Sequence, residues 1–181
     1  MRFVQLASGI DTTPVLVELA RNEDLWDANP MRRTYPGTPH GQMVDITCRY
    51  MPEALISEVS RGAEHRNVFW PPWYKLPALR PLVFGLMARV QAVELGSILI
   101  TRLPPGGEIL PHSDAGSWAP EFYNFKAHVT LAGQAVTTCD GEPCLQRVGD
   151  AWTFDNLLVH AITNAGECDR IACIISMRCE P

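Results

Sequence analysis

From Gly96 onward the sequence breaks into eight short apolar segments separated by turn residues. The segments are Ser97 to Leu103, Gly107 to His112, Lys126 to Ala132, Ala135 to Cys139, Cys144 to Val148, Ala151 to Phe154, His160 to Asn164 and Arg170 to Arg178. Between them lie Pro104-Pro105-Gly106-Gly107, Asp140-Gly141, Gly149-Asp150 and Asn164-Ala165-Gly166, residue types that reverse the chain. Runs this short suit strands better than helices, and so many in succession fit a β-sandwich or a jelly roll. Residues 96–181 are therefore expected to form the β core. Residues 1–95 read as a helical and irregular segment packed on it, the whole forming one compact domain.

The N-terminal half carries weaker signals. Thr13 to Arg21 reads as a helix with Pro14 in its first turn. Asn29 to His40 reads as an ordered loop, and Val44 to Tyr50 alternates like a strand. A second helix is expected from about Pro77 to Val93, because Leu79, Leu82, Val83, Leu86 and Val90 recur at helical spacing. That stripe reads as core packing. So, by a smaller margin, does the aromatic segment Phe69-Trp70-Pro71-Pro72-Trp73-Tyr74, whose other reading is the rim of a binding cleft.

Composition narrows the function. The 181 residues are 46% hydrophobic, enough for a substantial core. A net charge of −5 argues against nucleic acid or an anionic membrane as partner. No apolar run approaches the roughly 20 residues that span a bilayer, and the first residues do not resemble a signal peptide, so a cytoplasmic location is expected. The six cysteines then read as reduced and mostly inert. A zinc site from Cys139, Cys144, Cys168 and Cys173 is the weaker alternative, because its spacings are loose.

One constellation carries chemistry. His112 and Asp114 are alternate residues at the end of an expected strand, so both side chains can face one metal ion. His160 opens a later strand and can complete a set of two histidines and one carboxylate, the facial triad of non-haem Fe(II) sites. Ten residues further on, Arg170 opens the last strand. If Arg170 also faces inward, a dicarboxylate can chelate the metal at one end and meet a guanidinium fork at the other.

These residues resemble a known family. Pro111-His112-Ser113-Asp114, Lys126-Ala127-His128, the run from Gly149 to Asn156 and the His160–Arg170 spacing are similar to the aspartyl/asparaginyl β-hydroxylase-like branch of the 2-oxoglutarate- and Fe(II)-dependent oxygenases. The resemblance spans residues 97–178. It implies a double-stranded β-helix, a cupin-like jelly roll, with Fe(II) on His112, Asp114 and His160. It implies 2-oxoglutarate as cosubstrate and O2 as oxidant, with Arg170 and Thr101 at the distal carboxylate. His128 and Lys126 match an R-x-H element near the iron-bound end, with lysine in place of arginine. The implied reaction hydroxylates a C–H bond of a peptidyl or small-molecule substrate and releases succinate and CO2. The best-known members lack the carboxylate ligand, which this chain has in Asp114.

Plainer readings stand beside these. Arg170 could be a solvated arginine paired with Asp169 or Glu167, and Thr101 an ordinary strand threonine. Trp152 and Phe154 read as core aromatics, Asp155 and Asn156 as turn residues supporting His160, and His40 and His65 as loop residues. Trp118, Phe122 and Tyr123, in the loop after Asp114, are the candidate substrate contacts. Two other functions remain open: a cupin-type metal enzyme that does not use 2-oxoglutarate, and a non-catalytic jelly-roll binding protein.

Overall fold

The structure is a computed structural model that describes residues 2–55, 64–116 and 118–180. The strands are β1 (Phe3–Ala7), β2 (Val44–Tyr50), β3 (Val68–Phe69), β4 (Ala92–Leu103), β5 (Glu108–His112), β6 (Phe125–Ala132), β7 (Ala135–Cys139), β8 (Glu142–Gln146), β9 (Ala151–Phe154), β10 (His160–Thr163) and β11 (Arg170–Cys179). The helices are α1 (Thr13–Arg21), α2 (Met31–Thr34), α3 (Pro71–Lys75), α4 (Leu79–Arg89) and α5 (Trp118–Phe122). A seven-stranded sheet runs β1-β9-β6-β11-β4-β2-β3, and a four-stranded sheet runs β5-β10-β7-β8. Met43 and Leu103 of the large-sheet side pack against Ile109, Ala135 and Ile162 of the small sheet, so the two sheets face each other as a jelly roll.

Each expected β segment contains a strand. The strand expected from Ser97 starts earlier, at Ala92, because the helix expected to reach Val93 ends at Arg89. Gln91 then turns the chain with φ of 54°. Residues 1–95 also do more than lie on the barrel as helices and loops. They contribute β1, β2 and β3 to the large sheet, with β1 paired to β9 and β2 to β4. The segment expected as a loop from Asn29 to His40 contains the short helix α2.

The large sheet is covered on both faces, which explains why β4 and β11 are buried almost continuously. On the outer face, Val15 and Leu19 of α1, Leu79, Val83 and Leu86 of α4, and Trp73 and Leu76 meet Ile98, Ile100, Val129, Cys173 and Ile175. The α4 stripe is thus core, as is most of the aromatic segment, with Trp70 and Trp73 buried and Tyr74 exposed. Among the described residues no helix is long and apolar enough to cross a membrane.

Gly149 ties the N-terminal segment to this frame. Its amide donates to the Thr130 carbonyl at 2.9 Å, and its own carbonyl accepts from the Ile10 amide at 3.0 Å. Its φ is +80°, and a Cβ there would lie 2.9 Å from the Ile10 carbonyl oxygen. Gly149→Ala therefore meets backbone strain and a backbone clash together. We expect it to destabilise the fold by at least about 1–3 kcal/mol in chemical denaturation.

Candidate metal centre

Strand pairing brings the histidines together. His112 closes β5 and sits directly opposite His160, the first residue of β10, with ring centroids 4.3 Å apart. Each ring is anchored through Nδ1 to the carbonyl two residues earlier, Leu110 at 2.8 Å and Leu158 at 2.9 Å. A carbonyl can only accept, so both Nδ1 atoms carry the proton and both Nε2 lone pairs are left for a metal. Burial lowers the His160 pKa, so its imidazole stays neutral.

Asp114 completes the group. One ligand atom from each of His112, Asp114 and His160 lies within 4.8 Å of the other two. Asn156 holds Asp114 twice: its carbonyl accepts from the Asp114 amide at 3.0 Å, and its Nδ2 donates to Oδ2 at 2.8 Å. The Lys126 ammonium donates to the same Oδ2. Oδ1 is the oxygen that faces His112, 3.8 Å from Nε2. Burial by itself would raise the Asp114 pKa, but Lys126, the Asn156 hydrogen bond and His160 outweigh it and hold the carboxyl below its usual range. A neutral imidazole at His160 and an ionised carboxylate at Asp114 are protonation states that metal binding requires. The donor set fits Fe(II).

Lys126, expected near the cosubstrate, pairs with Asp114 and lines the cavity beside the triad. Asn156 likewise does more than shape a turn.

Beside the triad lies a cavity of about 70 Å³, whose lining includes Ser97, Lys126, His128 and Ser176. The registers explain this polar wall. Ile174 of β11 pairs with Leu99 and His128, and Ser176 with Lys126, so alternate residues of the central strands point into the barrel. His128 stacks on Phe154 at 4.7 Å, and neither of its ring nitrogens has a hydrogen-bond partner in the protein. Thr101, one row from Arg170 on this face, is fully buried, 3.5 Å from the Ala172 carbonyl.

Arg170 is 0% exposed. Its Nη2 donates to Gln146 Oε1 at 3.3 Å, while Nε and Nη1 have no partner. Among the described residues it pairs with no carboxylate; Asp169 instead lies 4.0 Å from Arg102. Burial pulls its pKa down to about 10, which still leaves it charged. The solvated, ion-paired reading of Arg170 therefore does not hold.

The three expected substrate contacts are not among the residues lining the metal cavity. Trp118 and Phe122 stack on each other at 4.5 Å, and Phe122 lies between Arg66 at 3.9 Å and Arg178 at 4.5 Å. Neither lines the metal cavity. Tyr123 is 3% exposed, its hydroxyl accepts from the Asn67 amide, and its ring fills the space a side chain at Gly96 would need. Conversely, His40 is no free loop residue. Its ring meets His112 edge-on at 5.1 Å, and Arg32 links it at 3.4 Å to Asp45. The six cysteines are free, and among the described residues none belongs to a metal-capable group.

Residues 74–179 match the family described as aspartyl/asparaginyl beta-hydroxylase. A structure described as an oxidoreductase of the 2OG-Fe(II) oxygenase family, from Burkholderia pseudomallei, is similar over 95% of this chain and 92% of its own, at 16% identity and TM-score 0.53. A protein of unknown function from Streptococcus pyogenes overlaps 49% of this chain and 68% of its own, at 22% identity and TM-score 0.38. A predicted oxalate decarboxylase from Thermotoga maritima overlaps 47% and 68%, at 21% identity and TM-score 0.38. No curated protein matches the sequence.

Two outcomes follow from this geometry. Asn156→Leu removes a hydrogen bond to Asp114 and should weaken Mn(II) binding about 10- to 100-fold in calorimetry. Burial holds His128 well below its ordinary pKa and His40 down to about 2, so both are neutral when folded. The unfolded chain takes up these protons below about pH 6.5. Stability of the metal-free protein should therefore be present above that pH and fall as pH drops, by up to about 1.4 kcal/mol per histidine per pH unit, in urea titrations at pH 7.5 and 5.5.

Proposed function

The chain belongs to the aspartyl/asparaginyl β-hydroxylase family, and from that premise we propose that it is a 2-oxoglutarate- and Fe(II)-dependent oxygenase. In this reading His112 Nε2, His160 Nε2 and Asp114 Oδ1 hold Fe(II). When bound, the metal and cosubstrate convert R–H, O2 and 2-oxoglutarate into R–OH, succinate and CO2. The residues supply geometry and charge.

The observation that carries the cosubstrate is Arg170. A fully buried guanidinium with no counter-ion is costly unless something anionic meets it. A dicarboxylate chelating the metal through its keto-acid end supplies that anion at its far end, with the Thr101 hydroxyl nearby. Lys126 and Asn156 occupy Oδ2 of Asp114 and leave one oxygen for the metal. Three protein donors then leave positions open for cosubstrate and O2. A cupin-type enzyme without 2-oxoglutarate would need a different anion to meet Arg170.

The substrate is a small molecule or a peptide. A groove of about 490 Å³ shares Lys126 and Asn156 with the metal centre and includes Pro120, Asn124 and Phe125. It is the approach that best suits a substrate reaching the metal.

Arg170→Leu tests the reading. It should raise the Kd for 2-oxoglutarate on the Mn(II)-loaded protein at least about 30-fold, yet leave Tm unchanged or higher, because an uncompensated buried charge is gone. Equal 2-oxoglutarate affinity in both proteins would overturn it. In a screen of peptides and free amino acids, the wild type should show substrate-stimulated succinate formation and Asp114→Ala should not. A non-catalytic binding protein would form succinate in neither.

A further inference from the structure

We propose that Gln146 is a binding residue for the far carboxylate of the cosubstrate and, with Thr137, sets the site's preference for dicarboxylates over monocarboxylates. The inference rests on the 2-oxoglutarate reading above and extends it to the small sheet.

Gln146 is the last residue of β8, an edge strand, yet it is 1% exposed. The orientation of its amide follows from its partner. Arg170 has only donors, so the oxygen must face the guanidinium and Nε2 must point away from it. That Nε2 has no acceptor in the protein. On the neighbouring strand, Gln146 pairs with Ala135 and Thr137 with Cys144, which makes Thr137 and Gln146 diagonal neighbours on one face. Thr137 is fully buried and its hydroxyl also lacks a partner.

Buried polar groups left unpaired are costly, and folded proteins keep few of them. Here they cluster: Arg170 Nε and Nη1, Gln146 Nε2 and Thr137 Oγ1. All but the threonine are obligate donors. A cluster of buried donors around a cation suits an anion with several acceptor lone pairs, which describes a carboxylate. The side chain at 146 also matters for what it is not. A glutamate has nearly the same shape but would pair with Arg170 and cancel its charge. Glutamine orients the guanidinium and leaves its charge for the ligand.

The test compares wild type with Gln146→Met, Gln146→Glu and Thr137→Val, each loaded with Mn(II). The ligands are 2-oxoglutarate and 2-oxobutyrate, a keto acid without the far carboxylate, and calorimetry gives the affinities. Gln146→Met should weaken 2-oxoglutarate about 10-fold or more, with Mn(II) and 2-oxobutyrate binding unchanged. Thr137→Val should weaken it less, with the same selectivity. Gln146→Glu should weaken it at least about 100-fold and raise the Tm of the metal-free protein through an internal ion pair with Arg170. Wild-type affinity for 2-oxoglutarate in both Gln146 variants would overturn the proposal. So would parallel loss of both keto acids, which indicates a structural role. Failure of the wild type itself to bind 2-oxoglutarate would overturn the underlying reading, and this one with it.

Discussion

The alternation of β11 divides the molecule. Its side chains at 171, 173, 175 and 177 turn toward the helix-covered core, where Cys173, Ile175 and Met177 are fully buried. Those at 170, 172, 174 and 176 turn into the barrel. Pairing with β4 on one side and β6 on the other extends this division across the sheet, aligning Ala172 with Thr101 and Thr130 and Ile174 with Leu99 and His128. A slip of one residue would send Arg170 into the hydrophobic core and Ile171 and Ile175 into the barrel. The large apolar face fixes the register, and the register fixes the site.

The small sheet has a matching task. Pairing of β10 with β5 sets His160 against His112, and its pairing with β7 sets Ile162 against Thr137. Metal donors thus cluster at one end of the barrel, with a buried cation and unpaired donors deeper inside. Both ends are expensive for the protein alone. Asp114 is kept ionised by Lys126 and Asn156, whereas Arg170 has no such counterweight among the described residues. The proposed cosubstrate would relieve that asymmetry by placing a carboxylate beside Arg170.

Much of this was legible in the sequence because strand alternation and turn residues are local signals. His112, Asp114 and His160 could be paired on paper because two of them are alternate residues and the third opens a strand. Arg170 could be aimed inward for the same reason. Contacts made by non-local pairing were not legible. Nothing local around Lys126 shows that it meets Asp114, a contact created only by the meeting of β6 with the loop after β5. Gln146 is a polar residue inside the short expected strand Cys144 to Val148, and nothing local marks it as buried. His40 reaches the site because the Pro39 carbonyl accepts from the Leu110 amide, a contact 71 positions apart in sequence. Trp118, Phe122 and Tyr123 lie close to the triad in sequence. Stacking on Arg66 and Arg178, and the space above Gly96, draw them away from it.

In the proposed complex one molecule spans the triad and Arg170. Anaerobic titration of the Fe(II)-loaded wild-type protein with 2-oxoglutarate tests it most directly. A keto acid chelated to iron should produce a weak visible charge-transfer band that saturates at one equivalent. Protein that binds Fe(II) at the triad but shows no such band at saturating 2-oxoglutarate would contradict the account.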